Sequence, residues 1–331
     1  MAKTKDTERK IIKIPSGSYG MNLMMSGRWD YSFESGRIVE IYGHNGSGKS
    51  TTAWHIGQNA LLSYRKAGIK TNVNICDAEF KLDESYLQKV ISEKDYNLKR
   101  ENICEEIWGW VFDGLNKGEK IFIVDSVGNM TSHEQRKRGI EKMGFTSVAK
   151  EMSWGLRNYG RDVYKQNAFL IFVNHVAFKI GVMFGDNETT PGGDKLKFDA
   201  SYRIKIWTTR GSAEKIKTKD LTDVNEIAKE IETGIVMKMK SVKNDTAPPY
   251  RLANVPLKYG YGIDKLKDFM MFLEQIGFLI KIEKTSKYKI KGFKIESITE
   301  KKLTDELLKS TSKIKIKAIE YTKKYGFEVM E

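Results

Sequence analysis

The stretch Gly43-His44-Asn45-Gly46-Ser47-Gly48-Lys49-Ser50, continued by Thr51, decides how this chain is read. It fits G-x-x-x-x-G-K-[ST], the loop in which backbone N–H groups wrap nucleotide phosphates. Ahead of it, Arg37-Ile38-Val39-Glu40-Ile41-Tyr42 is a β-branched run that predicts a buried strand, and residues 51–64 behind it predict a helix. Strand, loop and helix are the context the motif requires. The glycines let bare backbone approach phosphate oxygens, and the helix N-terminus adds its partial positive charge. In that setting Lys49 reaches the β- and γ-phosphates and the Ser50 hydroxyl ligates Mg²⁺.

Working outward, residues 70–77 predict a second strand, so the order strand, helix, strand points to parallel pairing through a right-handed crossover. Helices are expected over 84–92, 101–116 and 148–166. Between them Lys120-Ile121-Phe122-Ile123-Val124-Asp125 is an apolar strand ending in an acid. An aspartate at the carboxyl end of a buried strand beside a phosphate loop is placed to hold Mg²⁺ through water. Residues 131–145 read as a basic loop. Ala168-Phe169-Leu170-Ile171-Phe172-Val173-Asn174 is the most apolar strand and ends at His175, after which 176–193 reads as a long loop with Gly and Pro-Gly-Gly punctuation. Strands follow near 202–207 and 234–240, with 214–233 a charged excursion. The pattern predicts an α/β fold, a central mostly parallel sheet flanked by helices. Three parts are expected: a short N-terminal segment (1–36) with a strand at 11–14 and a helix at 20–25, a core (37–264), and a small basic α+β domain (265–331). That last part reads as a helix over 266–275, a hairpin over 278–293 and one Lys-rich helix over 306–325.

The 331 residues hold 57 Lys+Arg against 43 Asp+Glu, a formal charge of +14, which favours polyanionic partners. Cys76 and Cys104 have no C-x-x-C partner and no His at ligand spacing, so buried thiols in a reducing compartment are expected rather than a disulfide or zinc site. No apolar run reaches the length of a membrane span, and the first ten residues lack a signal-peptide core. A soluble cytoplasmic protein is expected, with no membrane partner.

Several stretches together resemble one family. Gly36 to Gly43, Asp77-Ala78-Glu79, Val124-Asp125-Ser126-Val127, Phe172-Val173-Asn174, and above all Ile180-Gly181-Val182-Met183-Phe184-Gly185 with Thr190-Pro191-Gly192-Gly193 and Leu196-Lys197-Phe198 are similar to the RecA strand-exchange ATPases. The resemblance covers roughly residues 11–265. It implies a RecA-like P-loop core using ATP and Mg²⁺, with the phosphate loop, Ser50 and Asp125 in the roles argued above. Glu79 matches the catalytic glutamate that polarises the attacking water, and Tyr86 the aromatic that stacks on adenine. Asn174 and His175 fall where the γ-phosphate is sensed; bacterial members carry Gln at the second position, and phage UvsX-like members carry His. The segments around Arg136, Lys137, Arg138 and Phe145, and from 176 to Gly193 with Lys179, Ile180 and Gly192, resemble the two DNA loops. Lys150 and Arg157 match phosphate-contacting positions. Lys243 matches a lysine that reaches the neighbouring subunit's ATP, with Phe198 and Lys197 at the same interface.

The resemblance therefore implies a DNA-dependent ATPase that polymerises into a helical filament on single-stranded DNA and pairs it with duplex DNA, in a phage or a divergent bacterium. Three departures stand out: Asp245 replaces the family's second lysine, His175 replaces Gln, and few residues precede Pro15, leaving the 11–14 strand as the segment expected to extend a neighbour's sheet. A ring-forming motor with the same core, or a DNA-coating scaffold with an ATP switch, are the competing readings.

Overall fold

The computed structural model describes residues 10–138, 147–178, 187–208, 215–219, 230–294, 297–309 and 311–328. From the N-terminus run β1 (Lys13–Ile14), α1 (Tyr19–Ser26), β2 (Phe33–Glu34), β3 (Arg37–Gly43), α2 (Lys49–Lys66), β4 (Val73–Asp77), α3 (Glu84–Leu87), β5 (Tyr96–Arg100), α4 (Cys104–Asn116), β6 (Ile121–Asp125), α5 (His133–Arg138), α6 (Ser147–Lys165) and β7 (Phe169–His175). There follow β8 (Ala177–Phe178), β9 (Glu188–Thr189), α7 (Gly193–Asp199), β10 (Tyr202–Trp207), β11 (Lys215–Lys219), β12 (Glu230–Asn244), β13 (Leu252–Lys258) and β14 (Gly262–Ile263). The chain closes with α8 (Lys265–Gln275), β15 (Leu279–Lys281), β16 (Lys287–Ile290), β17 (Ile298–Thr299), α9 (Glu300–Leu308) and α10 (Lys313–Glu328).

Among the described residues the largest sheet has ten strands in the order β14-β13-β12-β10-β3-β7-β6-β4-β5, with β11 paired to β12. From β10 to β5 every pairing is parallel, and the β12 end is antiparallel. Both faces of the parallel part are covered, which is why its strands read as unbroken apolar runs. Ile121, Ile123, Phe169 and Ile171 pack with Ala53, Ile56 and Ala60 of α2 on one face. Phe122, Val124, Leu170 and Phe172 pack with Trp108 and Val111 of α4 and Leu156 of α6 on the other. Cys76 and Cys104 are free and buried in that second layer, and burial pushes the Cys76 thiol up to about 12, so it stays protonated.

The parallel register brings four strand ends level. Gly43 lies opposite His175, and Asp77 opposite Asp125. Loops leaving the carboxyl ends of β3, β4, β6 and β7 therefore converge on one rim, where ligands bind in open α/β sheets.

A third cluster, built by Phe272, Leu273, Phe278, Tyr288, Leu303 and Leu307, belongs to the C-terminal lobe. Helix α1 ties it to the sheet. Met21, Met24 and Met25 enter the first core, while Tyr19 and Leu23 pack on the third. Truncating one such buried methionine to Ala costs about 2–5 kcal/mol.

Several sequence expectations change here. The strand expected at 11–14 is β1, and it pairs antiparallel with β2 of the same chain, which satisfies one of its edges internally. The helix expected over 84–92 stops at Leu87, and the chain then forms the edge strand β5, whose Asn97, Lys99 and Arg100 masked its strand character. The described part of the 131–145 segment is helix rather than loop: Ser132 Oγ accepts from Gln135 N at 3.1 Å, capping α5. The single helix expected over 306–325 is two, because Ser312 Oγ donates to Glu306 and accepts from Ile314 N, starting a new cap. Strand β13 was hidden by Asn254 and Pro256.

Candidate nucleotide site

Helix α2 starts from Gly48, whose φ of 88° lies in the left-handed region, and a Cβ there would come 2.3 Å from Met237 Sδ. Only glycine meets both demands. The loop opens onto a cavity of 870 Å³ lined by Gly43, His44, Asn45, Gly46, Lys49, Ser50, Glu79, Lys81, Asp125, Asn129, His175 and Val176. Six of the eight motif residues and three of the expected acid and base groups are thus brought together.

The polar groups of the loop are under-satisfied. Lys49, only 6% exposed, donates to the His44 carbonyl at 2.9 Å. Burial pulls its ammonium below the ordinary value while Asp125 and Glu79 pull the other way. Ser47 Oγ is buried with no hydrogen-bond partner among the described residues. A buried polar atom without a partner is unfavourable unless a ligand supplies one. Phosphate oxygens fit beside Gly46, Lys49 and Ser50, which line the cavity at the helix N-terminus and include a cation.

Ser50 hydrogen-bonds to Asp125, whose carboxyl burial pushes up to about 6 against the opposing pull of Ser50 and Lys49. A divalent cation between these two would reverse that shift. Their oxygens suit Mg²⁺, and Ser50 and Asp125 would hold it there. Bound there, Mg²⁺-ATP supplies the phosphoanhydride bond and the neutralisation of its leaving oxygens.

Glu79 lies two residues past the end of β4. Its Oε1 is 2.7 Å from His175 Nε2 and 2.8 Å from Ser126 Oγ. An ionised carboxylate only accepts, so His175 carries its proton on Nε2. Ser126 Oγ is also 2.8 Å from Asn129 Oδ1 and 3.0 Å from His175 Nε2, and its single hydrogen serves one oxygen at a time. Burial raises the Glu79 pKa, yet the Ser126 and His175 hydrogen bonds outweigh it and hold Glu79 below the usual carboxylate range. It remains ionised, as a group that polarises water must be. Ser126, Asn129 and Lys81 were not singled out from sequence. The signal for Ser126 was its place directly after the strand-end Asp125.

Asn174 does not line this cavity. It is fully buried, and its amide donates to Glu40 Oε1 at 2.9 Å and to the Pro191 carbonyl at 2.8 Å. With both hydrogens committed it stands behind the pocket wall and anchors the far end of the 176–193 segment. Glu40, itself fully buried, is paired with Arg203 Nε at 2.6 Å. Tyr86 borders a smaller cavity of 190 Å³ with Ser50, Trp54, Glu79 and Asp125, its hydroxyl 3.0 Å from Thr51 Oγ1 and its ring edge-on to Trp54.

The remaining expected residues that are described do not line this cavity. Arg136 donates to Asn102 Oδ1, Lys137 is exposed, and Arg138 ends α5. Lys150 and Arg157 are exposed on α6. Gly192 and Gly193 open α7 and lie against Met152 and Ala149 of α6. Lys197 reaches Thr189 and Asp194. Phe198 is 75% exposed, and Lys243 donates to its carbonyl and lies 3.9 Å from Asp245, so these three share one surface. Phe145, Lys179 and Ile180 lie outside the described residues.

Against known families, residues 1–264 match the model of the RecA N-terminal domain. The chain belongs to the RecA family. It is 32% identical over 281 residues to Protein RecA of Aquifex aeolicus, covering 82% of this chain and 73% of that protein. It is likewise 32% identical over 278 residues to Protein RecA of Streptococcus parasanguinis (83% and 68%) and over 286 residues to that of a Streptococcus pneumoniae strain (85% and 68%). RecA-family membership supports a RecA-type recombination ATPase. Among the described residues no helix is long and apolar enough to cross a membrane.

Proposed function

We propose that this RecA-family protein binds ATP with Mg²⁺, assembles as a helical filament on single-stranded DNA, and catalyses homologous pairing and strand exchange with duplex DNA, hydrolysing ATP as it does so. The observation that carries the reading is His175, whose Nε2 is 2.7 Å from Glu79 while its own strand leads directly into the 176–193 segment. A group that touches the water-polarising carboxylate and starts a candidate DNA loop can couple the two sites. Lys49 holds the phosphates, Ser50 and Asp125 bind the cation, Glu79 orients water, and Ser126 with His175 fixes Glu79. Arg136, Lys137, Arg138, Lys150 and Arg157, with Phe145, Lys179, Ile180, Gly192 and Gly193, form the DNA surface, their cations holding phosphates without reading sequence. Lys243, Lys197 and Phe198 face the neighbouring protomer, Lys243 completing its ATP site. The exposed lysines 281, 284, 287, 289 and 291 of the C-terminal lobe suit duplex capture.

The test is ATP hydrolysis with and without single-stranded DNA, joined to electron microscopy with a non-hydrolysable ATP analogue and a joint-molecule assay. Stimulated turnover, open helical filaments and joint molecules are expected. Closed rings with directional unwinding would replace the reading by a motor, and binding without turnover by a scaffold.

A further inference from the structure

We propose that the outer face of α6 is a track for single-stranded nucleic acid on which Trp154 stacks a base. The inference rests on the DNA-binding reading above and extends it beyond Lys150 and Arg157. Exposed positions on α6 include Lys150, Trp154, Arg157, Arg161, Tyr164 and Lys165. Their spacing of three and four places them on one stripe of the helix, opposite buried Met152, Gly155, Leu156 and Val163. Four cations and two aromatics share that stripe. The helix's two acids, Glu151 and Asp162, are half-buried and lie off it. From Lys150 to Lys165 the stripe extends about 22 Å at the helical rise.

Trp154 is 49% exposed, yet its ring is braced. It meets Tyr159 edge-on at 5.6 Å, and Tyr159 packs in turn against Phe112 at 5.0 Å and Trp108 at 5.9 Å. A ring held at one side with the rest open loses little freedom when a base stacks on it, and every base has such a face. A single exposed aromatic is ordinary on a protein surface. One set among four cations that form no salt bridge among the described residues is the pattern of a single-strand groove, whereas the cores of protein interfaces are depleted in charge. The track also meets the candidate loop: a Cβ on Gly193 would lie 3.0 Å from Ala149 Cβ, so a strand leaving that loop reaches Lys150 first.

The test uses the full chain with ATP and fluorescent oligonucleotides, one of thymidines and one abasic of equal length. Trp154→Ala should weaken the thymidine oligonucleotide about tenfold while leaving abasic binding and the slope of affinity against salt unchanged. Trp154→Phe should restore most of the loss. Arg161→Ala with Lys165→Ala should instead reduce the salt slope by about 0.7 for each cation removed. Equal losses on both oligonucleotides, or none, would overturn the proposal while wild-type binding keeps the functional reading intact. Impaired filament assembly with unchanged affinity for short oligonucleotides would assign the face to protein contact and likewise overturn it. Failure of the wild type to bind either oligonucleotide would remove both. The urea midpoint of each variant separates these outcomes from misfolding.

Discussion

The phosphate pocket and the seam between α1 and α8 are both built from small polar residues, and they differ in how completely those residues satisfy one another. At the pocket Lys49 has one carbonyl, and behind its lining Ser47 Oγ has no partner among the described residues and Ser126 is shared among three groups. In the seam, Asn22 Oδ1 accepts from Ser16 N, Ser16 Oγ and Ser32 Oγ, and its amide donates to Trp29 O. Asp268 of α8 accepts from Ser18 Oγ and Tyr19 N at 2.6 Å each. A polar cluster that closes on itself is a joint; one left open is a place for a ligand.

The largest effect that could break this contrast comes from Lys49. Lys49→Ala is expected to lower ATP turnover by more than about 10³-fold with little change in the urea midpoint; hydrolysis at the wild-type rate would remove the loop from the chemistry. Glu79→Gln should follow, losing about 10²- to 10³-fold in kcat while a fluorescent ATP analogue still binds. The seam should answer in the opposite currency. Asn22→Ala strands three donors and is expected to reduce stability by about 3 kcal/mol, read in denaturant, with ATP affinity preserved.

The smallest effect is a pair of opposed pH dependences. Burial pushes Asp268 up to about 7 from an ordinary 3.8, so between those values the folded chain holds a proton the unfolded chain has lost. Its contribution is fullest below pH 4 and declines as pH rises towards 7. His55 behaves in reverse. Its Nε2 accepts from Ile263 N at 2.9 Å, and burial lowers it from 6.5 to about 4, so its contribution is fullest above pH 6.5 and is lost as pH falls. The two slopes offset each other in the wild type. Asp268→Asn should expose the His55 slope, costing about 2 kcal/mol between pH 6 and 4.5, and His55→Gln should expose the opposite one. Parallel denaturation curves for both variants across that range would refute the assignment of either group.

The nucleotide half of the site was legible because each residue follows a strand end in a recognisable run. Lys49, Ser50, Asp125, Glu79 and His175 needed only the motif, the strand pattern and the family resemblance. The hydrogen bonds of Asn174 to Glu40 and Pro191 were not legible, because sequence gives the strand end but not the direction of a side chain. Whether an amide faces the pocket or the sheet depends on a partner 134 positions away, Glu40. The α5 cap, the break before α10 and edge strand β5 were missed for a related reason: local hydroxyls and edge polarity decide them, and apolar periodicity does not register either.

The sequence by itself determined the parallel core and its phosphate loop, since both depend on local pattern and on glycines that admit no side chain. Only the tertiary structure decided that α1 bridges two cores, that Ser126 and His175 hold Glu79, and that the exposed stripe of α6 begins beside Gly193. Those are contacts between distant parts of the chain, set by strand register and the helices laid across it, and no local run of residues carries them.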